Sequence, residues 1–380
     1  MDRSLALLGS IALAFSCGAR TPLDDLAPPP PDVVLPSIDA APITDAAPTV
    51  DVPVIPRDVP VVPPDAGPPR VLAWTRLATA SPMRPAPRMS HFMLYESRDD
   101  SVLVIGGYDP YERRGQDGAR LDVWRLALAT ERWTRVATLR RPLVHLLGGA
   151  AMFNASHAQV VLIAAADLMA SSELLSLDVA SGRVTRLGGE PWPAGWSVMS
   201  AGALADRQWL VASGAVFVET VRTTWAYDLS TSRWSTLATT GPMPRSHAML
   251  ADGGDRMYEY GGYYGDAFRD LWQLDPSPAR WTERTFSSPL PPRLDHRVLV
   301  DRARNRLVAF GGYAAATVVH ENLLLVDLAT GLTRAPMLTP APQGRRDHGF
   351  VLDARRRAIL FGGALDSDHC FDDTWALTLE

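Results

Sequence analysis

The apolar positions of this chain fall into short runs of about four residues, each halted by a glycine pair. Arg306-Leu307-Val308-Ala309-Phe310-Gly311-Gly312-Tyr313 sets the pattern, and it returns as Val102-Leu103-Val104-Ile105-Gly106-Gly107-Tyr108, as Arg256-Met257-Tyr258-Glu259-Tyr260-Gly261-Gly262-Tyr263 and as Ala358-Ile359-Leu360-Phe361-Gly362-Gly363. Runs this short, rich in β-branched and aromatic residues and bounded by glycine, predict strands rather than helices. The second glycines of the last three copies stand 50 and 51 residues apart. A fixed period of that length marks a repeat architecture.

Each period has the same order: a Pro/Arg/His lead-in, a strand, a strand ending in Gly-Gly, a variable loop, a third strand and a fourth. The fourth carries Arg-Trp, as at Arg132-Trp133, Arg233-Trp234 and Arg280-Trp281. Six third strands can be counted, beginning at Asp122, Glu173, Thr224, Asp270, Asn322 and Asp373. The sixth is followed by too little chain for a fourth, whereas an orphan strand, Val71-Leu72-Ala73-Trp74-Thr75-Arg76-Leu77, stands before the first unit. Over residues 71–380 this order resembles the kelch repeat of β-propellers. The resemblance implies an all-β, six-bladed kelch-type propeller whose last blade is closed by the strand around Trp74, which leaves no free edge. Ala164-Ala165-Ala166 in blade two and Ser213-Gly214 in blade three replace the glycine pair, so blade two is expected to be locally distorted.

Charge divides the chain. Residues 22–69 hold eight aspartates, one arginine and fifteen of the 32 prolines, so they carry −7 against a total of −5. Proline breaks helix and sheet alike, and uniform charge keeps a chain extended. The expected organisation is a signal over 1–17, a disordered linker over 18–70 and the propeller over 71–380. The remainder is nearly neutral, which excludes a basic field for nucleic acid. The first residues, with an apolar stretch from Leu5 to Phe15 before Ser16-Cys17, are too short to span a bilayer. They resemble a bacterial lipoprotein signal, which implies lipidation of Cys17, membrane attachment through that lipid anchor only, and residence in the cell envelope, at the outer membrane or cell surface. The alternative is ordinary cleavage and secretion.

Candidate chemistry is sparse. The lead-in histidines His91, His145, His247, His296 and His348 recur once per blade, too far apart around a ring to converge on one metal. They are expected to be neutral, hydrogen-bonded and structural, with Asp122, Asp270, Asn322 and Asp373 as partners for backbone donors at strand starts. The loop Asp366-Ser367-Asp368-His369-Cys370-Phe371-Asp372-Asp373 is dense in possible ligands, yet it lacks the glycine and glutamate of a calcium loop and reads as a solvated acidic loop. No metal, cofactor or catalytic residue is assigned, and binding is favoured over catalysis: no nucleophile elbow, phosphate loop or zinc helix is present. Cys370 lacks the context of the copper site in galactose-oxidase-like kelch enzymes.

Strand alternation puts the loops between second and third strands on the same face as the lead-ins. That face collects Tyr108, Tyr111, Arg113, Arg114, Tyr263, Tyr264, Phe268, Arg269 and Tyr313, residue types enriched at binding hot spots. The repeated lead-in arginines Arg88, Arg141, Arg245, Arg293 and Arg345 are expected at its inner rim, stacked on tryptophans. The function expected is an exported, lipid-anchored binding or scaffold protein whose loop face meets a protein or glycan partner of acidic character. The alternative is an envelope carbohydrate-active enzyme, mutarotase- or oxidase-like.

Overall fold

In a computed structural model of the chain, the described residues are 71–78, 81–111, 118–145, 149–165, 172–188, 200–213, 222–286, 288–314, 320, 322–365 and 369–380. Cys17, Arg113, Arg114 and the 18–70 linker lie outside them. A first strand, β1 (Ala73–Leu77), precedes five four-stranded sheets, each built from consecutive chain. Blade one holds β2 (Phe92–Glu96), β3 (Ser101–Ile105), β4 (Asp122–Ala127) and β5 (Arg132–Thr138). Blade two holds β6 (Ala150–Phe153), β7 (Gln159–Ala164), β8 (Glu173–Asp178) and β9 (Arg183–Arg186). Blade three holds β10 (Ser200–Leu204), β11 (Trp209–Ser213), β12 (Thr224–Asp228) and β13 (Arg233–Ala238). Blade four adds a small hairpin, β16 (Tyr263–Tyr264) and β17 (Asp266–Ala267), to β14 (Met249–Asp252), β15 (Met257–Tyr260), β18 (Leu271–Pro276) and β19 (Ala279–Arg284). Blade five holds β20 (Arg297–Asp301), β21 (Arg306–Phe310), β22 (Leu323–Asp327) and β23 (Thr333–Arg334).

Blade six has three strands of its own, β24 (Gly349–Leu352), β25 (Arg357–Phe361) and β26 (Thr374–Thr378). The fourth is β1, antiparallel to β26 with Ala73 opposite Thr378 and Leu77 opposite Thr374. The ring is therefore a six-bladed propeller closed by the strand around Trp74. Trp74 is buried against Phe310 and Phe350, with its ring 5.2 Å from that of Phe310. An apolar cluster joins each blade to the next, six in all among the described residues. The seam cluster sets Leu77, Val102, Trp124 and Trp133 against Ile359, Phe361 and Ala376, so the closing interface is packed like the others.

The glycine pair is the joint between blades. At Gly311 and Gly312 φ is 67° and 78°, in the left-handed region, and a Cβ on Gly311 would stand 2.1 Å from the carbonyl of Arg345. The second glycine donates its N–H to the lead-in carbonyl of the next blade at 2.8 Å in four places: Gly107 to Leu143, Gly262 to Arg293, Gly312 to Arg345 and Gly363 to Arg88. Blade two cannot build this joint from alanines. There the strand stays extended through Ala164, opposite Glu173, and Ala165 bridges to Val144.

The lead-in arginines are latches inside the blades, and here two expectations are corrected. Arg88, Arg245, Arg293 and Arg345 are buried rather than lying on a rim, and none stacks on a tryptophan. Arg345 Nη1 donates to the Gly362 carbonyl at 2.9 Å and to Asp373 at 2.6 Å, and Nη2 reaches the other Asp373 oxygen at 3.2 Å. Arg88 and Arg245 repeat this with Gly106 and Asp122, and with Gly261 and Asp270, while Arg293 uses Gly311 and Asn322. The strand-start acids thus serve buried guanidinium groups, whose charge demands a partner once desolvated. Phe268 and Phe371, not tryptophans, lie under Arg245 and Arg345, 3.9 and 4.0 Å from the guanidinium carbons. In blade two Leu143 takes the latch position, and the half-exposed Arg141 reaches Glu173 instead.

Candidate functional site

Aligning the lead-ins on their latch residue brings Ser90, His145, His247, Asp295 and Asp347 to one position, two residues on. Their backbones hydrogen-bond in sequence around the axis: Asp295 N to His247 O at 3.3 Å, Asp347 N to Asp295 O at 3.0 Å, Ser90 N to Asp347 O at 2.9 Å and His145 N to Ser90 O at 3.1 Å. Ser90, His247, Asp295 and Asp347 all have φ between 52° and 59°. Such a backbone is costly for side chains other than glycine, so the ring is held by the blades around it. The blade-three lead-in lies outside the described residues.

This ring gathers charges that read as separate in sequence. Arg346 Nη1 stands 3.1 Å from an oxygen of Asp347 and 3.9 Å from one of Asp295, so one guanidinium spans two carboxyl groups. His247 Nδ1 pairs with the other Asp295 oxygen, and the Tyr313 hydroxyl also bonds to Asp295. Burial pushes the Asp347 carboxyl up, the neighbouring Asp295 charge adds to this, and the result is about 7 despite Arg346, Arg297 and His247. Asp295 goes the other way: burial would raise it, but the His247 charge and hydrogen bond, with Arg346 and Arg297, hold it below its ordinary value. For His247, burial acts downward, yet Asp295 outweighs it and leaves the imidazole raised. Tyr108 and Tyr313 are raised by burial first and then by these two carboxylates.

Arg297, from the first residue of β20, is part of the same axial assembly. Its Nε donates to the His348 carbonyl at 2.7 Å, Nη1 meets the Met249 sulfur, and Nη2 reaches both His145 ring nitrogens at 2.7 and 3.2 Å. It links blade five to blades two, four and six across the ring. At the opening, the accessible groups are donors: the side chains of Arg346 and His247 are 26% and 24% exposed, against 4% for Asp295. The result is a layered axial site, the cup, with a guanidinium and an imidazole partly exposed and carboxyl groups buried.

The family described as KLHDC2/KLHL20/DRC7 Kelch-repeats domain matches residues 114–304. The chain belongs to this kelch-repeat family. No curated protein matches it. Among solved structures, one titled "Structure of YjhT" is similar, with a TM-score of 0.60 at 13% identity, covering 80% of this chain and 98% of that one. At that identity the likeness shows the fold alone.

Within this kelch propeller the loop-face residues separate. Tyr108 and Tyr313 belong to the cup, and Tyr111 lies close enough to act electrostatically on Arg346. Tyr263 bridges to Ser246 beside the ring, while Tyr264, 53% exposed, and Arg269 stand on the blade-four loop. Phe268 faces the latch arginine Arg245. Sequence reasoning missed Asp295, Asp347 and Arg346 as a group. The signal for the two acids is a column of the lead-in alignment that is polar in every described blade yet not fixed in type, and Arg346 stands one residue before it, in a column that is mostly apolar.

The histidines also divide. His91, His296 and His348 follow the ring position, are fully buried, and present their rings edge-on to Phe361, Tyr260 and Phe310 of the preceding blade, at 5.4, 4.9 and 5.7 Å. Their ring nitrogens lack partners, so the expected hydrogen bonds are absent. Burial, then neighbouring arginines, depresses all three well below the ordinary value. Of the acidic loop, 366–368 lie outside the described residues, Asp372 pairs with Arg84 at 2.8 Å and Asp373 serves Arg345. Cys370 is buried, and that burial, with Asp109 adjacent, raises its thiol. No three His, Cys, Asp or Glu side chains among the described residues could hold a metal ion.

Proposed function

We propose that this kelch propeller is an exported, lipid-anchored binding protein that takes acidic groups of a protein or glycan partner into the axial cup of its loop face. The observation that carries the reading is the layering of the cup. Arg346 and His247 are accessible, and buried carboxyl groups hold them in place. A guanidinium oriented in this way favours bidentate pairing with a carboxylate. Tyr108, Tyr111, Tyr263 and Tyr313 supply rigid aromatic area beside it. Cys17 would carry the anchor, and residues 18–70 would act as a spacer reaching on the order of 100 Å if extended.

A second reading, a carbohydrate-active enzyme using the same cup, is favoured by the Asp347/Asp295 pair at Arg346, where burial and the Asp295 charge push the Asp347 carboxyl up to about 7, which suits an acid that gives and takes protons near neutrality. The test is direct titration of the full chain with acidic and neutral oligosaccharides and peptides, with reducing-end chemistry followed in parallel. Binding of acidic ligands only, without turnover, supports the binding reading; turnover supports the second, and indifference to charge removes the first. For the anchor, Cys17→Ser should abolish incorporation of labelled fatty acid, and incorporation that persists excludes this cysteine.

A further inference from the structure

The axial ring does more than a flat docking surface requires, because it places carboxyl groups of neighbouring blades under one guanidinium. Asp347 donates its backbone N–H to Asp295, both have left-handed backbones, and one nitrogen of Arg346 lies within 4.0 Å of each carboxyl group. Both carboxyl groups are buried, with side chains 4% and 9% exposed. The charged and titratable groups facing them are His247 from blade four, Arg297 from β20, Arg346 on the same lead-in, and Tyr108 and Tyr313. At the same ring position in blade one, the Ser90 hydroxyl is 1% exposed and has no hydrogen-bond partner. A buried hydroxyl left unpaired is a cost that a bound group can remove.

A ligand carboxylate gripped by Arg346 and His247 would add a third negative charge within a few ångströms of two existing ones. Like charges that close cannot all remain ionised in a buried site, and one takes up a proton. We propose that the cup binds a carboxylate together with one proton, Arg346 and His247 holding the ligand while the Asp295/Asp347 pair takes the proton from solvent. This rests on the binding reading above and adds its chemistry. No covalent bond forms or breaks: ligand carboxylate, ionised cup and one proton become a complex in which Asp347 is the neutral acid. Asp347 sits where it can respond, since its own titration falls at about 7. Above that pH the cup must be recharged with a proton for each ligand, so affinity falls by roughly tenfold per pH unit.

The experiment is calorimetric titration of the full chain at pH 6, 7 and 8, each in two buffers of different ionisation heat. The probes are a short oligogalacturonate and a short oligoglutamate peptide, which separate a glycan source of the carboxylate from a peptide source. Expected is net proton uptake at pH 7 and above, and binding that weakens from pH 6 to pH 8. Asp347→Asn, which cannot ionise, should take up fewer protons and keep only the pH dependence that His247 brings. Binding without proton uptake, or uptake undiminished in Asp347→Asn, overturns the proposal while the binding reading stands. If neither probe binds at any pH, the binding reading itself falls and the proposal with it.

Discussion

Arg345 and Arg346 are neighbours in sequence and do opposite work. In extended chain they point to opposite sides. Arg345 turns into the blade, fully buried and fork-bonded to Asp373, and Arg346 turns to the axis, where it is partly exposed above Asp347 and Asp295. The first repeats around the ring and serves the fold. The second occurs at a position where the other described blades carry Met89, Val144, Ser246 and Leu294. Repetition therefore separates the latch arginines from the axial one more reliably than residue type does.

The largest effect that would break this comparison comes from the latch. Arg345→Leu strands Asp373 and the Gly362 carbonyl, and should cost about 3–5 kcal/mol; urea denaturation should show it, and a loss below about 1 kcal/mol would mean the latch is dispensable. Acid is the next test. His91, His145, His296 and His348 are held neutral by burial, so the unfolded chain binds more protons below about 6.5. Their contribution is complete above that pH and is lost as pH falls toward their depressed folded values. The slope is up to about 1.4 kcal/mol per pH unit for each histidine. His247 and Asp347 have the opposite sign: both are raised, so what they contribute weakens as pH rises, for Asp347 through about 7. Thermal melts from pH 4 to 8 should show acid destabilisation, and the variant His348→Phe should soften it.

Gly312→Ala should cost about 1–3 kcal/mol, because its φ of 78° is left-handed and a Cβ would stand 2.5 Å from the Leu294 carbonyl. Arg346→Gln should destabilise less than the latch variant, because Asp347 can take up a proton when its partner is lost, while affinity for acidic probes should drop about tenfold or more. If instead Arg346→Gln unfolded the protein, the distinction between the neighbouring arginines would collapse.

Most of the architecture was legible because it is written several times. Period, strand order and the orphan strand at Trp74 are enough to specify blade number and closure. The latch was only half legible: Arg88 and Asp122 recur together, but they are 34 residues apart, and nothing local says that a strand-start acid faces a guanidinium rather than backbone donors. The cup was illegible for a different reason. His247, Asp295 and Asp347 come from successive lead-ins, and their column also holds Ser90 and His145, so no motif search gathers them. Only the curvature of the ring brings them within reach of each other. Blade two shows the converse, since three alanines announced an irregular joint and the extended strand through Ala164 is the form it takes.

The pairing of β1 with β26 also governs when the molecule can exist. Trp74 is made long before its partner strand at Thr374–Thr378, and its pocket is not complete until that strand follows. Closing a loop of that length is slow, and until it closes β1 is an apolar strand with an open edge. The same pairing brings Ala73 beside Thr378, so the first and last described strands are adjacent. The propeller is a circle with a nick in it. A permuted gene joined there and reopened at a surface hairpin should yield the same ring, with the waiting strand built into an ordinary blade.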